Sequence, residues 1–200
     1  MKEKIKKILS KNKTLRAFLV RIIRPKLLYL ALPKTRPISK YYGIERGGAI
    51  DRYYIEDFLK LNKQYIKGHC LEVLDNEYTL KYGTGVTKSD ILDIDRSNTK
   101  ATTYGDIRNL SEIPNESYDC IILTQVLQFI DDYDSAISAC HRVLKRDGYL
   151  LATVPSVSRI DCVAGESDDY WRFTKASAKY IFNKHFIDPK VISFGNVKVG

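Results

Sequence analysis

Acidic residues recur along the chain in positions that suit the binding of a nucleoside. Glu72 lies in the apolar run HCLEVL, Asp90, Asp93 and Asp95 lie close together in SDILDID, and Asp106 lies in YGDI. A carboxylate accepts hydrogen bonds from two O–H groups at once, which is what a ribose offers. In α/β domains that bind dinucleotides, the ribose-binding acid follows the first turn by about 20 residues. Asp90 follows Glu72 by 18 residues and fits that spacing best, with Asp93 and Asp95 as alternatives.

The turn after the first apolar run has no glycine. In HCLEVLDNEYTLKYG the only glycine is Gly83, at the end of the segment. A pyrophosphate needs glycines for close backbone approach, so their absence argues against NAD and FAD. A ligand without phosphates makes a weaker demand, and Asn76 is of a type that tolerates a positive φ. Leu74 is harder to accommodate because its branched side chain stands close to the expected ligand.

From residue 41 onward, predicted helices and strands alternate along the chain. Helices are predicted over IDRYYIEDFLKLNKQYIKG up to Gly68, over YDSAISACHRVLK up to RDG, and over TKASAKYIFNKHF with a Thr cap. Strands are predicted at HCLEVL, GVTKSDIL, ATTYGDI, the opening of YDCIILTQVLQFI, YLLATVP and KVISFGNV. This alternation predicts a doubly wound, mostly parallel Rossmann-like α/β sheet over residues 41–200. Thr124 and Gln125 end the fourth strand, where open α/β sheets bind ligands.

Residues 1–40 form a separate basic arm. They carry nine Lys and four Arg against one Glu, a charge of +12, which leaves −3 on residues 41–200. A mildly acidic body argues against a nucleic-acid partner. An apolar stripe in the arm predicts an amphipathic helix that ends at Pro25, and it consists of Leu15, Phe18, Leu19, Ile22 and Ile23. Two interpretations stay open: residues 1–24 lie on an anionic membrane surface, or they pack on the domain, a partner protein or a second subunit in a homodimer.

The cysteines and histidines show no metal-binding spacing. Cys70, Cys120, Cys140 and Cys162 are irregularly spaced and form no CxxC pair. Thiols inside apolar runs act as small hydrophobes, so we expect reduced cysteines in a cytoplasmic protein and no bound metal. Ser, His and Asp residues are not arranged as in a hydrolase.

The order of several segments resembles the class I S-adenosylmethionine-dependent methyltransferases. The resemblance covers about residues 41–196 and is closest to the small methyltransferase domains associated with bacterial glycosyltransferases. Its most specific segments are IDRYYIEDFL, HRVLKRDGYLLATVP and DDYWRFT.

The resemblance implies S-adenosylmethionine as the cofactor and assigns roles to individual residues. Glu72 would orient the aminoacyl end, Asp90 would bind the ribose hydroxyls and Asp106 would meet the adenine amino group. The implied cofactor site also includes Leu74, Asn76, Ile107, Thr124 and Gln125.

The acceptor side is less well marked. Asp169, Tyr170, Trp171 and Arg172 form the predicted acceptor wall, in which aromatic faces stack on a sugar ring and charged groups fix hydroxyls. The alternative is that Trp171 and Phe173 belong to the core and Arg172 pairs with an acid. No general base is assigned, because relatives often carry Glu-His where this chain has Gln128 and Phe129. His141 and His185 are expected to be structural.

The resulting prediction is O-methylation of a glycan or glycolipid precursor at the cytoplasmic face of a membrane. The alternative is a non-catalytic module that keeps the fold as a binding or scaffolding surface. Leu74 and Phe129 favour the alternative, whereas Glu72, Asp90 and Asp106 favour the enzyme.

Overall fold

A computed structural model describes residues 49–158, 160 and 168–195. The predicted arm over residues 1–40 and Cys162 lie outside these residues. The elements, in chain order, are α1 (Ile50–Leu61), β1 (Gly68–Val73), α2 (Glu77–Tyr82), β2 (Val86–Asp93), β3 (Thr103–Tyr104), β4 (Tyr118–Thr124), α3 (Tyr133–Val143), β5 (Leu144–Thr153) and α4 (Lys175–Phe182). Single turns of 3-10 helix lie at Lys63–Tyr65 and Leu127–Phe129.

The strands form one sheet in the order β3-β2-β1-β4-β5, and every neighbouring pair is parallel. This order confirms the doubly wound Rossmann-like fold of class I methyltransferases. From β1 the sheet grows outward to β2 and β3 on one side and to β4 and β5 on the other. The order therefore reverses between β1 and β4, and ligands of open α/β sheets bind at such a reversal, outside the carboxyl ends of the strands.

Helices cover both faces of the sheet, and the central strands β1 and β4 are accordingly rich in buried apolar residues. On one face α1 and α2 pack over a cluster formed by Ile55, Leu59, Ile66, Cys70, Tyr78, Cys120, Ile122 and Leu151. On the other face α3 and α4 pack over a larger cluster that includes Leu71, Leu92, Ile121, Leu123, Ile137, Cys140, Val143, Ile181 and Phe182. Cys70, Cys120 and Cys140 are buried in these clusters with free thiols.

Side-chain caps begin the two helices of the larger cluster. Asp132 accepts hydrogen bonds from the backbone N and the hydroxyl of Ser135 at the start of α3. Thr174 accepts from the backbone N of Ser177, whose side chain bonds back to Thr174 and completes a capping box. The predicted Thr cap of α4 is therefore confirmed.

Among the described residues, no helix is long and apolar enough to cross a membrane.

Three predicted helix ends were wrong, because α1, α3 and α4 all end earlier than predicted, α4 at Phe182 and not at Phe186. α1 ends at Leu61, because the side-chain amide of Asn62 bonds to the carbonyl of Phe58 and a 3-10 turn follows. Gly68 instead opens β1 with φ +68°, where an added Cβ would collide with the carboxylate of Asp119. α3 ends at Val143 because the next residue already pairs with Tyr118 as the first residue of β5.

Two of the predicted strands also differ from the structure. β3 has only two residues, since only Thr103 and Tyr104 pair with β2. Residues 190–195, which begin the predicted strand KVISFGNV, are irregular. The ring of Phe194 lies 6.0 Å from that of Tyr54 and 6.5 Å from that of Phe58, measured between centroids. The apolar side chain that suggested a strand thus packs against α1.

Candidate functional site

The first turn after β1 is built on a left-handed leucine. Leu74 has φ +73°, and its side chain is 59% exposed. Its backbone N donates to the carbonyl of Leu92 (2.9 Å), and its carbonyl accepts from the side-chain amide of Asn98 (2.8 Å). A non-glycine residue in this conformation costs roughly 1–2 kcal/mol. The chain therefore keeps the backbone that a glycine would give, at the cost of local strain.

Asn76 does not supply the positive φ expected of it. Its φ is −124°, and its side-chain amide donates to the hydroxyl of Ser89 (3.1 Å). Asn76 therefore fastens the turn to β2, and the unusual backbone conformation belongs to Leu74 alone in this turn.

Glu72 lies under the helix that follows the turn. Its buried carboxylate accepts from the backbone N of Tyr78 (3.1 Å) and from the backbone N and hydroxyl of Thr79 (2.8 and 2.7 Å). Burial raises the pKa of Glu72 to about 7, although these three hydrogen bonds oppose the shift. The structure thus joins Glu72 to α2, and the carboxylate fixes the position of the turn.

Asp90 lies inside β2, and one oxygen of its carboxylate, Oδ2, has three partners. It is paired in register with Leu71 and shares a 2.6 Å hydrogen bond with Nε2 of His69. It also accepts from Nζ of Lys88 (3.0 Å) and from the hydroxyl of Tyr118 (3.2 Å). Burial opposes ionisation, yet the His69 and Lys88 contacts leave the pKa of Asp90 below its ordinary value. We call Asp90 and its partners His69, Lys88 and Tyr118 the buried polar cluster, after the buried carboxylate, although the Lys88 side chain is 63% exposed.

The acid that closes β2 is Asp93, whereas Asp90, which the spacing favoured, lies three residues before the end of the strand. Asp93 is the last residue of the strand and is buried. Its Oδ1 accepts from the backbone N of Asp95 (2.9 Å), and its Oδ2 accepts from the side-chain amide of Asn98 (2.7 Å). The same amide bonds to the carbonyl of Leu74. Asn98 therefore joins the first turn to the end of β2.

Asp106 follows β3 and is held by Arg108. Its carboxylate accepts from the backbone N, Nε and a terminal nitrogen of Arg108 (2.9, 2.9 and 2.6 Å). The guanidinium holds the pKa of Asp106 below its usual value. Arg108 also reaches Asp131 in the loop after β4 (2.7 Å). Ile107, predicted to touch the cofactor, is buried in the core.

A shallow groove adjoins Asp106. It has a volume of about 90 Å³ and is lined by Leu92, residues 103–106 and residues 109–113. Drug-sized ligands occupy about 300–1,000 Å³. The groove is thus large enough for only part of a nucleoside.

A second left-handed residue ends the central strand β4. Gln125 has φ +53°, and its backbone N donates to the carbonyl of Thr153 (3.0 Å). Thr124 pairs in register with Thr153. Leu74 and Gln125 thus hold strained backbone at the ends of the two strands between which the sheet order reverses. Strain of this kind persists where the surroundings enforce it, and it clusters at functional sites.

Gln128 is a buried residue of this region to which no role was assigned from the sequence. Its Nε2 donates to the carbonyl of Gln125 (3.0 Å) and lies 3.3 Å from that residue's Oε1. Its own Oε1 is buried without a hydrogen-bond partner among the described residues, as is Oγ1 of Thr153. The one sequence signal was a glutamine where relatives often carry a charged or titratable residue. We call Leu74, Asp93, Gln125 and Gln128 the carboxyl edge.

The predicted acceptor wall meets the carboxyl edge through its backbone. The backbone N atoms of Tyr170 and Trp171 donate to the carbonyl of Gln128 (2.8 and 3.3 Å). The indole N–H of Trp171 donates to the carbonyl of Ile130 (2.8 Å), and the Trp171 ring packs edge-on against Tyr133. The backbone of this wall is therefore beside Gln128.

The charged residues of the wall bond to each other. Two nitrogens of Arg172 bind the two carboxylate oxygens of Asp169, which is buried. This is the acid pairing expected under the alternative interpretation of Arg172. His141 packs edge-on against Phe186, and His185 contacts Asp134 at 3.3 Å.

The site lies within a segment shared with other proteins. Residues 68–152 match the family model of the methyltransferase domain. No match was found among curated proteins. The matched methyltransferase domain runs from the start of β1 to the next-to-last residue of β5 and contains the whole carboxyl edge, whereas Thr153 and the acceptor wall follow it.

Solved structures show the same fold at low sequence identity. A protein from Pyrococcus horikoshii has 15% identity over 80% of this chain and 95% of its own, with a TM-score of 0.53. A SAM-dependent methyltransferase from Thermotoga maritima has 17% identity over 71% and 75%, with a TM-score of 0.52. The 1,6-didemethyltoxoflavin-N1-methyltransferase of Burkholderia thailandensis, solved with its substrate and S-adenosylhomocysteine, has 14% identity over 71% and 69%, with a TM-score of 0.50.

Proposed function

We propose that this protein is a methyltransferase that uses S-adenosylmethionine. The observation that carries the proposal is the pair of left-handed residues, Leu74 and Gln125, at the ends of β1 and β4. They lie in a sheet of order 3-2-1-4-5, at the reversal where ligands of such sheets bind. They also lie within the segment that matches the methyltransferase domain.

The residues present fit this cofactor. Asp93 offers a buried carboxylate at the end of β2, where a ribose would donate two O–H groups. Asp106 offers an acceptor for the adenine amino group after β3. Leu74 gives the first turn the backbone of a glycine, and the cofactor has no phosphates that would demand a glycine-rich turn. When bound, S-adenosylmethionine supplies a methyl group on a positively charged sulfur.

The acceptor that we propose is a glycan or glycolipid precursor, methylated on oxygen. It is supported by Tyr170 and Trp171, which are 48% and 36% exposed and can face a sugar ring. Much of the rate of an in-line displacement can come from holding the two reactants in line, which these residues would do.

The proposed location is the cytoplasmic face of a membrane. It is supported by the +12 charge of residues 1–40 and by the apolar stripe within residues 1–24. Packing of the same stripe on a partner protein or in a homodimer stays the alternative.

Titration calorimetry with S-adenosylmethionine and S-adenosylhomocysteine tests the proposal. We expect both to bind the full chain, with a dissociation constant in the micromolar range, about −8 kcal/mol. A complex structure should place the nucleoside at the ends of β1 and β2. Absence of binding at millimolar ligand would contradict the enzymatic function.

The alternative function is a non-catalytic module with a methyltransferase fold. Two observations favour it: Leu74 stands in place of a glycine, and Arg108 already occupies the carboxylate of Asp106. This function predicts a stably folded chain that binds neither compound, so the same calorimetry separates the two.

A further inference from the structure

Two buried polar atoms lie without a hydrogen-bond partner where β4 and β5 end. They are Oε1 of Gln128 and Oγ1 of Thr153, and neither meets a donor or acceptor among the residues described. Gln128 is only 6% exposed. Leaving such an atom unsatisfied costs about 1–3 kcal/mol, and buried polar groups in native folds nearly always have a partner. A ligand that supplies the partner is one way to account for both atoms.

The orientation of the Gln128 amide decides what that partner must be. Nε2 donates to the carbonyl of Gln125, so the end left over is the carbonyl oxygen. An amide oxygen only accepts, and the missing group is therefore an N–H or O–H donor. The hydroxyl of Thr153 both donates and accepts, so it can serve a second hydroxyl of the same ligand.

The segment 170–173 connects the surroundings of the two atoms. Tyr170 donates its backbone N–H to the carbonyl of Gln128 (2.8 Å), and Phe173 donates to the carbonyl of Pro155, two residues after Thr153 (2.8 Å). The segment thus runs from the turn after β4 to the chain just beyond β5. It brings the partly exposed rings of Tyr170 and Trp171 to this part of the molecule.

The charges of this region favour a neutral ligand. The guanidinium of Arg172 binds the carboxylate of Asp169, and that of Arg108 binds Asp106 and Asp131. A carboxylate or phosphate placed beside Gln128 would face an amide oxygen, which repels it. Hydroxyl groups and an apolar ring face suit both the unsatisfied oxygens and the aromatic side chains.

We propose that Gln128 and Thr153 bind a neutral, hydroxyl-bearing ring of the methyl acceptor, of the pyranose type. This inference rests on the proposed function, because the ligand is the molecule that would be methylated. Both residues select and position the acceptor, and the chemical step itself is not assigned to them.

The test observes the Gln128 side-chain amide by NMR in the full ¹⁵N-labelled chain saturated with S-adenosylhomocysteine. The probes are neutral methyl pyranosides (glucoside, galactoside, mannoside and N-acetylglucosaminide) and the corresponding uronates. We expect a saturable shift of this amide with at least one neutral pyranoside and about tenfold weaker binding of the uronates. Gln128→Met and Thr153→Val should each weaken pyranoside binding by about tenfold. The matched control Gln64→Met, at an exposed position in the 3-10 turn, should leave it unchanged.

Melting temperature separates a ligand site from a purely structural role. Gln128→Met removes the buried carbonyl that has no partner among the described residues, and it also removes the Nε2 bond to the carbonyl of Gln125 (3.0 Å). The two losses have opposite effects on stability, so we expect a melting temperature close to that of the wild type. A lower melting temperature with undiminished pyranoside binding would overturn the proposal, since it would mean that Gln128 serves the fold.

The proposal and the proposed function can fail separately. No shift of the Gln128 amide at about 100 mM of any neutral pyranoside, with S-adenosylhomocysteine bound, overturns the acceptor site and leaves the methyltransferase function standing. Failure of S-adenosylhomocysteine to bind overturns the methyltransferase function, and with it the acceptor site.

Discussion

The buried polar cluster and the carboxyl edge both contain polar side chains, but their effects on stability are opposite. In the buried polar cluster, the carboxylate of Asp90 is satisfied by His69, Lys88 and Tyr118. At the carboxyl edge, two residues hold left-handed backbone and the Gln128 Oε1 has no partner in the described chain. Both regions belong to the same sheet. Strain and unsatisfied groups reduce stability, so the interior of the strands contributes to stability whereas their ends reduce it, as the proposed ligand site would require.

The largest expected effect is on the buried polar cluster. His69→Ala removes the 2.6 Å partner of Asp90 and leaves a mostly buried carboxylate. Breaking a buried pair from one side typically costs about 3–5 kcal/mol, and the remaining Lys88 contact places the expected loss near the lower limit. Urea denaturation measures the free energy of unfolding.

The double variant His69→Leu/Asp90→Leu is the control for this prediction. It removes both polar side chains, leaves no buried carboxylate without its partner, and should lose less stability than His69→Ala. An equal or larger loss in the double variant would show that the pair itself, and not the isolated carboxylate, carries the effect.

We expect the raised pKa of Glu72 to make the free energy of unfolding depend on pH, with an effect of comparable size. Burial raises its pKa in the folded protein to about 7 from an ordinary value of 4.5. Between these values the folded state holds more protons than the unfolded state, so stability falls as pH rises from about 4.5 to 7. Glu72→Gln removes this titration. We expect the stability of the wild type relative to Glu72→Gln to fall by about 3 kcal/mol between pH 4 and pH 8.

The measurement is a series of urea denaturations of both proteins across that pH range. Comparing the two chains cancels the other titrating groups, and any constant cost of the amide does not change with pH. A difference that stays constant with pH, or rises, would contradict the raised pKa.

A smaller effect distinguishes Asp93 from Asp90 as a ligand group. Asp93→Asn should weaken the binding of S-adenosylhomocysteine by about tenfold or more, because a hydrogen bond to a charged acceptor contributes about 1.5–3 kcal/mol. Asp90→Asn, the matched control inside the strand, should lower stability and leave affinity unchanged. Calorimetry with melting curves on both variants makes the comparison, and the reverse pattern would restore Asp90 as the ribose ligand.

The smallest effect concerns strain at the carboxyl edge. Leu74→Gly should raise stability by about 0.5–1 kcal/mol, because relief of the left-handed backbone exceeds the entropy that glycine loses on folding. The side chain of Leu74 is mostly exposed, so little packing is lost. Leu80→Gly is the matched control: Leu80 is also exposed but lies in α2, where glycine should cost about 1 kcal/mol. Thermal denaturation should give opposite signs, and destabilisation by both would refute strain at Leu74.

The fold could be predicted from the sequence because helices and strands are recognised from the local pattern of apolar residues. The runs around Cys70 and Ile121 are apolar enough to be central parallel strands, and Thr174 marked the start of α4 correctly. The prediction of a strand around Phe194 was wrong, because the local sequence pattern does not show which element an apolar side chain packs against. An apolar residue that packs against α1 has the same local pattern as one in a strand.

The site was less predictable because it depends on where strands end and on contacts across the fold. Spacing favoured Asp90, yet β2 continues to Asp93, three residues further. Asn76 was a reasonable choice for a positive φ by residue type, but the turn is fixed by the bonds of Leu74 to Leu92 and Asn98. That Oε1 of Gln128 has no partner among the described residues is a property of the three-dimensional arrangement and has no counterpart in the sequence.

Arg108 makes the candidate site sensitive to the ionic strength of the buffer. Its guanidinium forms one salt bridge with Asp106 in the loop after β3 and another with Asp131 in the loop after β4, so it links the two loops. Both carboxylates are partly open to solvent, with exposed side-chain fractions of 30% and 55%. Attraction between exposed charges is screened by dissolved ions, over about 10 Å at 0.1 M salt. Ionic strength should therefore act as a control on this end of the sheet: in dilute buffer the two loops are held together, and in concentrated salt they separate more readily.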